Sequence, residues 1–190
     1  MRANRSGESA LLLVDVVDLL TDHKVDYAVI GAFAASVHGA VRASMDADVL
    51  LLIGFPQAEN LRRAFESAGL HSELTRGDVE DPIPGLLRVT DPYSNRVDML
   101  IGLRGMDSEA FRRLVDVSFQ GKTLKFIGRE DFIAMKIFAA GPMDLIDAAR
   151  AISAAGNSLD TELLRRLAKR FGRDASIGLD RLLKPYHKLE

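Results

Sequence analysis

Two short apolar segments, residues 25–30 and 47–53, are each followed directly by a helix-like pattern. The first ends at Gly31 and continues into small residues over 32–38, and the second ends at a Gly-Phe-Pro turn before residues 57–68. Apolar runs bounded by glycine or proline are typical of strands, whereas apolar residues spaced three and four apart are typical of helices. This alternation predicts a chain that combines strands with helices.

The remaining patterns predict both kinds of element before Gly128 and only helices after it. Before Gly128 we expect helices at 8–22 and 108–115, and strands at 86–90, 96–101 and 123–127. After Gly128 we expect helices at 131–140, 143–155, 161–171 and 174–183. The predicted organisation is therefore a domain of strands and helices over residues 1–128 and a helical region over residues 129–190 that packs on it.

Composition narrows the kinds of site the chain can carry. The absence of cysteine excludes disulfides, zinc-thiolate sites and thiol catalysis. Any metal must therefore be held by carboxylates, histidines or phosphate oxygens, which favours a hard ion such as Mg²⁺. The net charge of −2 argues against a dedicated nucleic-acid binder, although residues 158–190 carry eight Lys or Arg against five Asp or Glu. No apolar run reaches the roughly 18 residues of a membrane span, and we expect a cytosolic protein without a membrane partner.

Asp46 and Asp48 stand at the beginning of the second apolar strand. Because strand side chains alternate between faces, both carboxylates point the same way, about 6–7 Å apart along the chain. Such a pair can hold two Mg²⁺ ions, roughly 3.5–4 Å apart, that stabilise the attacking and leaving oxygens in phosphoryl transfer. Acidic pairs are also common at solvated strand ends, so the pair alone leaves both interpretations open.

Gly31 supplies a complementary feature upstream of this pair. A strand that ends in glycine and passes straight into a helix directs backbone N–H groups, and the positive end of the helix dipole, beyond the strand. A triphosphate would fit at such a turn.

The combination of Gly31 and Ala32, thirteen intervening residues and Asp46-x-Asp48 resembles the signature of the DNA polymerase β nucleotidyltransferase superfamily. The sequence around Arg42 and Ser44 more specifically resembles those of small bacterial minimal nucleotidyltransferases and AbiEii-type toxins. The resemblance covers roughly residues 25–150. It implies an α/β protein with the minimal nucleotidyltransferase fold, a small mixed sheet flanked by helices, followed by a helical C-terminal part.

The resemblance also implies a third carboxylate on a neighbouring strand, which Asp98 matches. In that role Asp98 completes the metal site with Asp46 and Asp48, and accepts the proton of the attacking hydroxyl. Strand alternation equally permits Asp98 to face solvent without chemistry. Lys136 resembles the lysine that faces the nucleotide phosphates, but it fits a solvent-facing position on an amphipathic helix as well.

The implied reaction transfers a nucleoside monophosphate from an NTP to an acceptor hydroxyl, with Mg²⁺ or Mn²⁺ as cofactor. The implied catalytic and metal-binding residues are Asp46, Asp48 and Asp98, and the implied nucleotide-binding residues are Gly31, Ala32, Arg42, Ser44 and Lys136. The acceptor remains open among RNA, a protein side chain and a small molecule.

Two departures from the family pattern favour an alternative function. Ala32 replaces a Gly or Ser, and Met143 replaces the lysine of a K-D-x-x-D segment whose acids are Asp144 and Asp147. The alternative is a catalytically weak or inert protein that acts as a binding or regulatory partner, for instance with a cognate protein in a toxin–antitoxin pair. Asp144 and Asp147 themselves are expected to cap or pair at the start of their helix.

Overall fold

The structure is a computed structural model that describes residues 1–184. The end of the basic segment 158–190, including His187 and Leu189-Glu190, lies outside the described residues. The helices are α1 (Ser9–Asp22), α2 (Gly31–Val37), α3 (Phe55–Ser67), α4 (Arg129–Ala139), α5 (Pro142–Ala155), α6 (Thr161–Arg170) and α7 (Arg173–Leu183). The strands are β1 (Tyr27–Ile30), β2 (Asp46–Leu51), β3 (His71–Arg76), β4 (Gly85–Thr90), β5 (Arg96–Ile101), β6 (Val115–Phe119) and β7 (Lys122–Phe126).

All seven strands belong to one mixed sheet in the order β3-β4-β5-β2-β1-β7-β6. The central strands β2 and β5 run parallel, whereas β1 is antiparallel to β2 and β4 is antiparallel to β5. This architecture confirms the expected α/β class with a mixed sheet. No helix within residues 1–184 is long and apolar enough to cross a membrane.

The chain divides into two compact units. The first comprises residues 1–33, 43–104 and 114–126 and contains the sheet with α1 and α3. The second comprises residues 34–42 and 105–113 together with the chain from residue 127 onwards, and it contains α4 to α7.

The buried face of the sheet determines where the acidic side chains lie. On β2 and β5 every second residue is buried on the side where α1 and α3 pack, including Val49, Val97 and Met99. Each such side chain stabilises the fold by about 1.5–3 kcal/mol. Because a slip of one residue would turn Asp48 and Asp98 into this core, burial fixes the register that leaves them on the opposite face.

The helical unit is built around α4, which packs against α5, α6 and α7. Phe132, Ile133 and Ile137 of α4 are buried. His38 is also buried, and its Nε2 donates a hydrogen bond of 2.8 Å to the Ile127 carbonyl. Burial lowers the pKa of His38, so this side chain is a neutral structural group bonded to the backbone.

Two strands differ from the sequence-based expectation. The helix predicted at 108–115 is wrong at its end, since a 3-10 helix covers Ser108–Arg112 and Val115 begins β6. Gln120 and Gly121 both have positive φ angles and form the tight turn that pairs β6 with β7. β3 was not predicted because it is an exposed edge strand with a single apolar residue, Leu74. Its extended conformation is stabilised by pairing with β4.

Candidate active site

Three carboxylates lie on one face of the sheet, on the adjacent parallel strands β2 and β5. Asp48 is the register partner of Asp98, and Asp46 is the register partner of Arg96. Neighbouring strands lie about 4.8 Å apart, and register partners share a face. Tertiary structure therefore places Asp46, Asp48 and Asp98 side by side, in the arrangement that the family resemblance implied.

Two arginines, which the sequence patterns did not single out, pair with Asp98 and Asp46. Arg88 on β4 donates from Nε to Asp98 Oδ1 at 2.9 Å and from Nη2 to Asp98 Oδ2 at 3.1 Å. Arg96 on β5 pairs with Asp46, and its Nε lies 3.6 Å from Asp98 Oδ2. The hydrogen bond and charge of Asp98 raise the pKa of Arg88, with smaller contributions from the charges of Glu73 and Asp46.

A sequence signal for Arg88 did exist in the predicted hairpin. Thr90 and Arg96 flank the hairpin linker and pair directly, which places Arg88 opposite Asp98. Counting outward from the linker on both strands would have found this partner. The Asp98 side chain is only 14% exposed, and a buried acid of this kind requires a charged or hydrogen-bonded partner.

The oxygen donors suit a hard divalent cation, whereas their present orientation serves the arginines. Carboxylate oxygens are the protein ligands that Mg²⁺ prefers. Within the described part of the chain, no three His, Asp or Glu side chains converge as a group that could hold a metal ion. In this structure Asp98 is paired with Arg88 and Arg96, and Asp46 is paired with Arg96.

Gly31 lies against one of these carboxylates at the turn from β1 into α2. Its φ angle is +61°, and a Cβ added there would overlap Asp48 Oδ2. Only glycine meets both conditions, because it tolerates positive φ and leaves room for the carboxylate. Ala32 follows directly and is buried.

Replacing Gly31 with alanine should therefore destabilise the first unit and displace Asp48. We expect Gly31→Ala to cost about 1–2 kcal/mol through the positive φ angle, and more through the overlap. The free energy of unfolding in urea measures this loss. Gly69→Ala is the matched control, because Gly69 has a φ of +82° with no atom within 4 Å of an added Cβ. Equal losses in the two variants would contradict the close packing of Asp48 on Gly31.

The predicted phosphate-binding cations Lys136 and Arg42 both lie in the second unit, where they pair with acids of α5. Lys136 Nζ lies 2.6 Å from Asp144 Oδ1 and 3.1 Å from Asp147 Oδ2, and Arg42 Nε lies 3.3 Å from Asp147 Oδ2. The Asp147 side chain is fully buried. The two acids of the K-D-x-x-D-like segment thus form ion pairs, as expected, and their partners are the two candidate nucleotide ligands.

Ser44, the remaining candidate, bonds locally. Its Oγ donates a hydrogen bond of 2.9 Å to the backbone carbonyl of Asp46. This contact helps to fix the chain where it enters β2, directly before the acidic pair.

Several solved structures that are similar to this chain are nucleotidyltransferases or resemble them. The solution structure of the antibiotic-resistance factor ANT(2'')-Ia is similar with a TM-score of 0.59 at 12% identity, over 94% of this chain and 96% of that one. Its crystal structure with adenylyl-2''-tobramycin gives a TM-score of 0.58 at 14% identity, over 84% and 94%. An antigenic nucleotidyltransferase-like protein from Paracoccidioides brasiliensis gives 0.55 at 13% identity, over 98% and 93%.

Sequence comparison alone does not reveal this likeness. No protein-family model matches the chain, and no curated protein matches it. The structural matches cover 84–98% of this chain and 93–96% of the similar chains. The chain therefore has a nucleotidyltransferase fold, as its resemblance to the DNA polymerase β superfamily implied.

Proposed function

We propose that the chain is a metal-dependent nucleotidyltransferase that transfers a nucleoside monophosphate from an NTP to an acceptor hydroxyl. The acceptor oxygen forms a bond to the α-phosphorus, the bond from that phosphorus to the β-phosphate oxygen breaks, and pyrophosphate leaves. The observation that carries this proposal is the placement of Asp46, Asp48 and Asp98 on one sheet face of a nucleotidyltransferase fold.

Each carboxylate has a distinct part in the proposed reaction. Asp46 and Asp48 would hold Mg²⁺ or Mn²⁺, which when bound neutralises charge on the triphosphate and the leaving pyrophosphate, and Asp98 would complete the metal site. Asp98, whose side chain is less exposed than that of Asp46, accepts the proton of the acceptor hydroxyl. Gly31 allows the turn into α2 to approach Asp48 closely.

The proposed nucleotide-binding residues are Gly31, Ala32 and Ser44 together with two cations, Arg42 and Lys136. Lys136 and Arg42 carry the positive charge that phosphate oxygens require. Asp144 and Asp147 hold both cations in place, so their side chains are already ordered before a nucleotide binds.

A small hydroxyl-bearing molecule is the acceptor we favour over RNA or a protein side chain. The similar protein ANT(2'')-Ia was crystallised with an adenylylated tobramycin. The net charge of −2 for the chain, with +3 in residues 158–190, leaves −5 for residues 1–157. An acidic surface attracts a cationic small molecule and repels a polyanion such as RNA.

A second function is favoured by the arginine pairing itself. With Arg88 and Arg96 paired to Asp98 and Asp46, and with Ala32 in place of a Gly or Ser, the same chain suits a catalytically weak binding or regulatory partner. In that case its ligand would be a cognate protein, as in a toxin–antitoxin pair. Nucleotidyl transfer by the purified chain separates the two functions.

Divalent metal should be required for tight NTP binding, because three neighbouring carboxylates repel a bare triphosphate. Calorimetric titration with ATP, CTP, GTP and UTP, each with Mg²⁺ or EDTA, measures this requirement. Incubation with α-³²P-labelled NTPs, an aminoglycoside panel and RNA then identifies the acceptor. Equal NTP affinity in EDTA would rule out the proposed metal site, and binding without transfer to any acceptor would favour the regulatory function.

A further inference from the structure

Arg88 lies between two acidic side chains on the carboxylate face of the sheet. Glu73 on β3 is its register partner on one side, and Asp98 on β5 is its register partner on the other. Directly opposite residues of antiparallel strands share a face, with Cβ atoms about 4.5–5.5 Å apart. The Arg88 guanidinium can therefore reach either carboxylate without a change in the backbone.

In this structure Arg88 is paired with Asp98. Both carboxylate oxygens accept hydrogen bonds from it, at 2.9 and 3.1 Å. Glu73 is exposed and forms no ion pair with a cation of residues 1–184. Both oxygens of Asp98 are thus occupied by Arg88, whereas Glu73, on the other side of the arginine, is available to it.

A divalent cation and a guanidinium compete for the same carboxylate. Two positive charges about 4 Å apart repel strongly in the partly dehydrated surroundings of a sheet face. Since Asp98 is also close to Arg96 Nε, at 3.6 Å, adding a metal ion would place three cationic groups around one carboxylate. Arg96 also pairs with Asp46, whereas Arg88 has Glu73 as a second register partner. Departure of Arg88 towards Glu73 relieves this repulsion.

We infer that Arg88 is a positioning residue that neutralises Asp98 in the metal-free protein and transfers to Glu73 when a divalent cation binds. The inference rests on the proposed function, because it takes Asp98 to be a metal ligand. Arg88 keeps the third carboxylate in place on its strand before the ion arrives. Glu73 then stabilises the displaced guanidinium, so that the apparent metal affinity depends on both residues.

Binding of Mn²⁺ alone, followed by electron paramagnetic resonance of the free ion, tests this exchange without any turnover. We expect Arg88→Gln to tighten Mn²⁺ binding about threefold to tenfold by removing the competitor, and Glu73→Gln to weaken it about twofold. In the Arg88→Gln background, Glu73→Gln should have no further effect, since its partner is gone. Arg76→Gln is the matched control, because Arg76 lies over the Phe55 ring on the opposite face and its removal should leave Mn²⁺ affinity unchanged.

Three results would overturn the exchange. Additive effects of the two substitutions on Mn²⁺ affinity would mean that the charge of Glu73 acts directly on the ion rather than through Arg88. Unchanged Mn²⁺ affinity of Arg88→Gln, with a lower free energy of unfolding, would make Arg88 a purely structural strand partner. Failure of both wild type and Arg88→Gln to bind Mn²⁺ would remove the metal site altogether.

The transfer assay distinguishes failure of this inference from failure of the proposed function. Tighter Mn²⁺ binding by Arg88→Gln, without transfer by wild type, would support the exchange and reject the enzyme. Transfer by wild type, with Mn²⁺ affinity unaffected by Arg88, would support the enzyme and reject the exchange.

Discussion

Asp98→Asn should abolish nucleotidyl transfer while leaving NTP binding nearly intact, whereas Asp46→Asn and Asp48→Asn should impair both. Under the proposed function, Asp46 and Asp48 hold the ion that neutralises the triphosphate in the bound complex. Asp98 acts mainly when the acceptor hydroxyl loses its proton. Removing an interaction made only in the transition state lowers kcat rather than ground-state affinity. Loss of the general base should cost about 10²–10⁴-fold in rate.

Paired measurements on each variant test this asymmetry. NTP dissociation constants and single-turnover transfer rates are needed for wild type and the three asparagine variants. Asp116→Asn, an exposed acid on the strand β6, is a control that should change neither quantity. Thermal unfolding checks that Asp98→Asn, which loses the ion pair with Arg88, remains folded. Undiminished transfer by a folded Asp98→Asn would exclude this residue from the mechanism.

Asp147→Asn should destabilise the helical unit far more than Asp144→Asn. Asp147 is fully buried between Lys136 and Arg42, and its Oδ1 accepts no hydrogen bond from a described residue. Removing the charge leaves two cations without their buried partner, which typically costs about 3–5 kcal/mol. Asp144 contacts the same lysine but is 30% exposed, so its removal should cost about 1 kcal/mol or less.

Urea unfolding of the two variants measures this contrast. The double variant Lys136→Met/Asp147→Leu should recover part of the loss, since a buried ion pair can be replaced by apolar side chains at little cost. Similar losses for Asp144→Asn and Asp147→Asn would show that burial does not govern this network. The same variants indicate whether Lys136 is free to serve a nucleotide, because the acids compete with phosphate for its ammonium.

The sequence alone was sufficient for much of the fold. Twelve of the thirteen predicted helices and strands appear within a few residues of their expected bounds, including α1, β2 and the hairpin β4–β5. Periodicity of apolar residues and the Gly and Pro breaks are local properties, and they report local structure directly. β3 and β6 escaped this approach because both are exposed strands whose order comes from pairing with a neighbour.

The candidate site shows the same division between local and long-range information. Two local patterns predicted the acids: Asp46-x-Asp48 at the start of one strand and Asp98 within another. Strand alternation placed all three on a single face once the two strands paired. The partners of these acids depend on register between strands far apart in the chain. Arg88 reaches Asp98 only because the hairpin pairs without a slip.

The two cations assigned to the nucleotide illustrate what tertiary structure alone decided. Lys136 and Arg42 lie 94 positions apart in the sequence, and no local pattern indicates that both contact Asp147. The sequence alone showed that both residues carry a positive charge, and the spacing of apolar residues predicted the positions of α4 and α5. Which carboxylates neutralise that charge was settled by the packing of the helical unit, because an acid buried as completely as Asp147 must be paired wherever the fold places it.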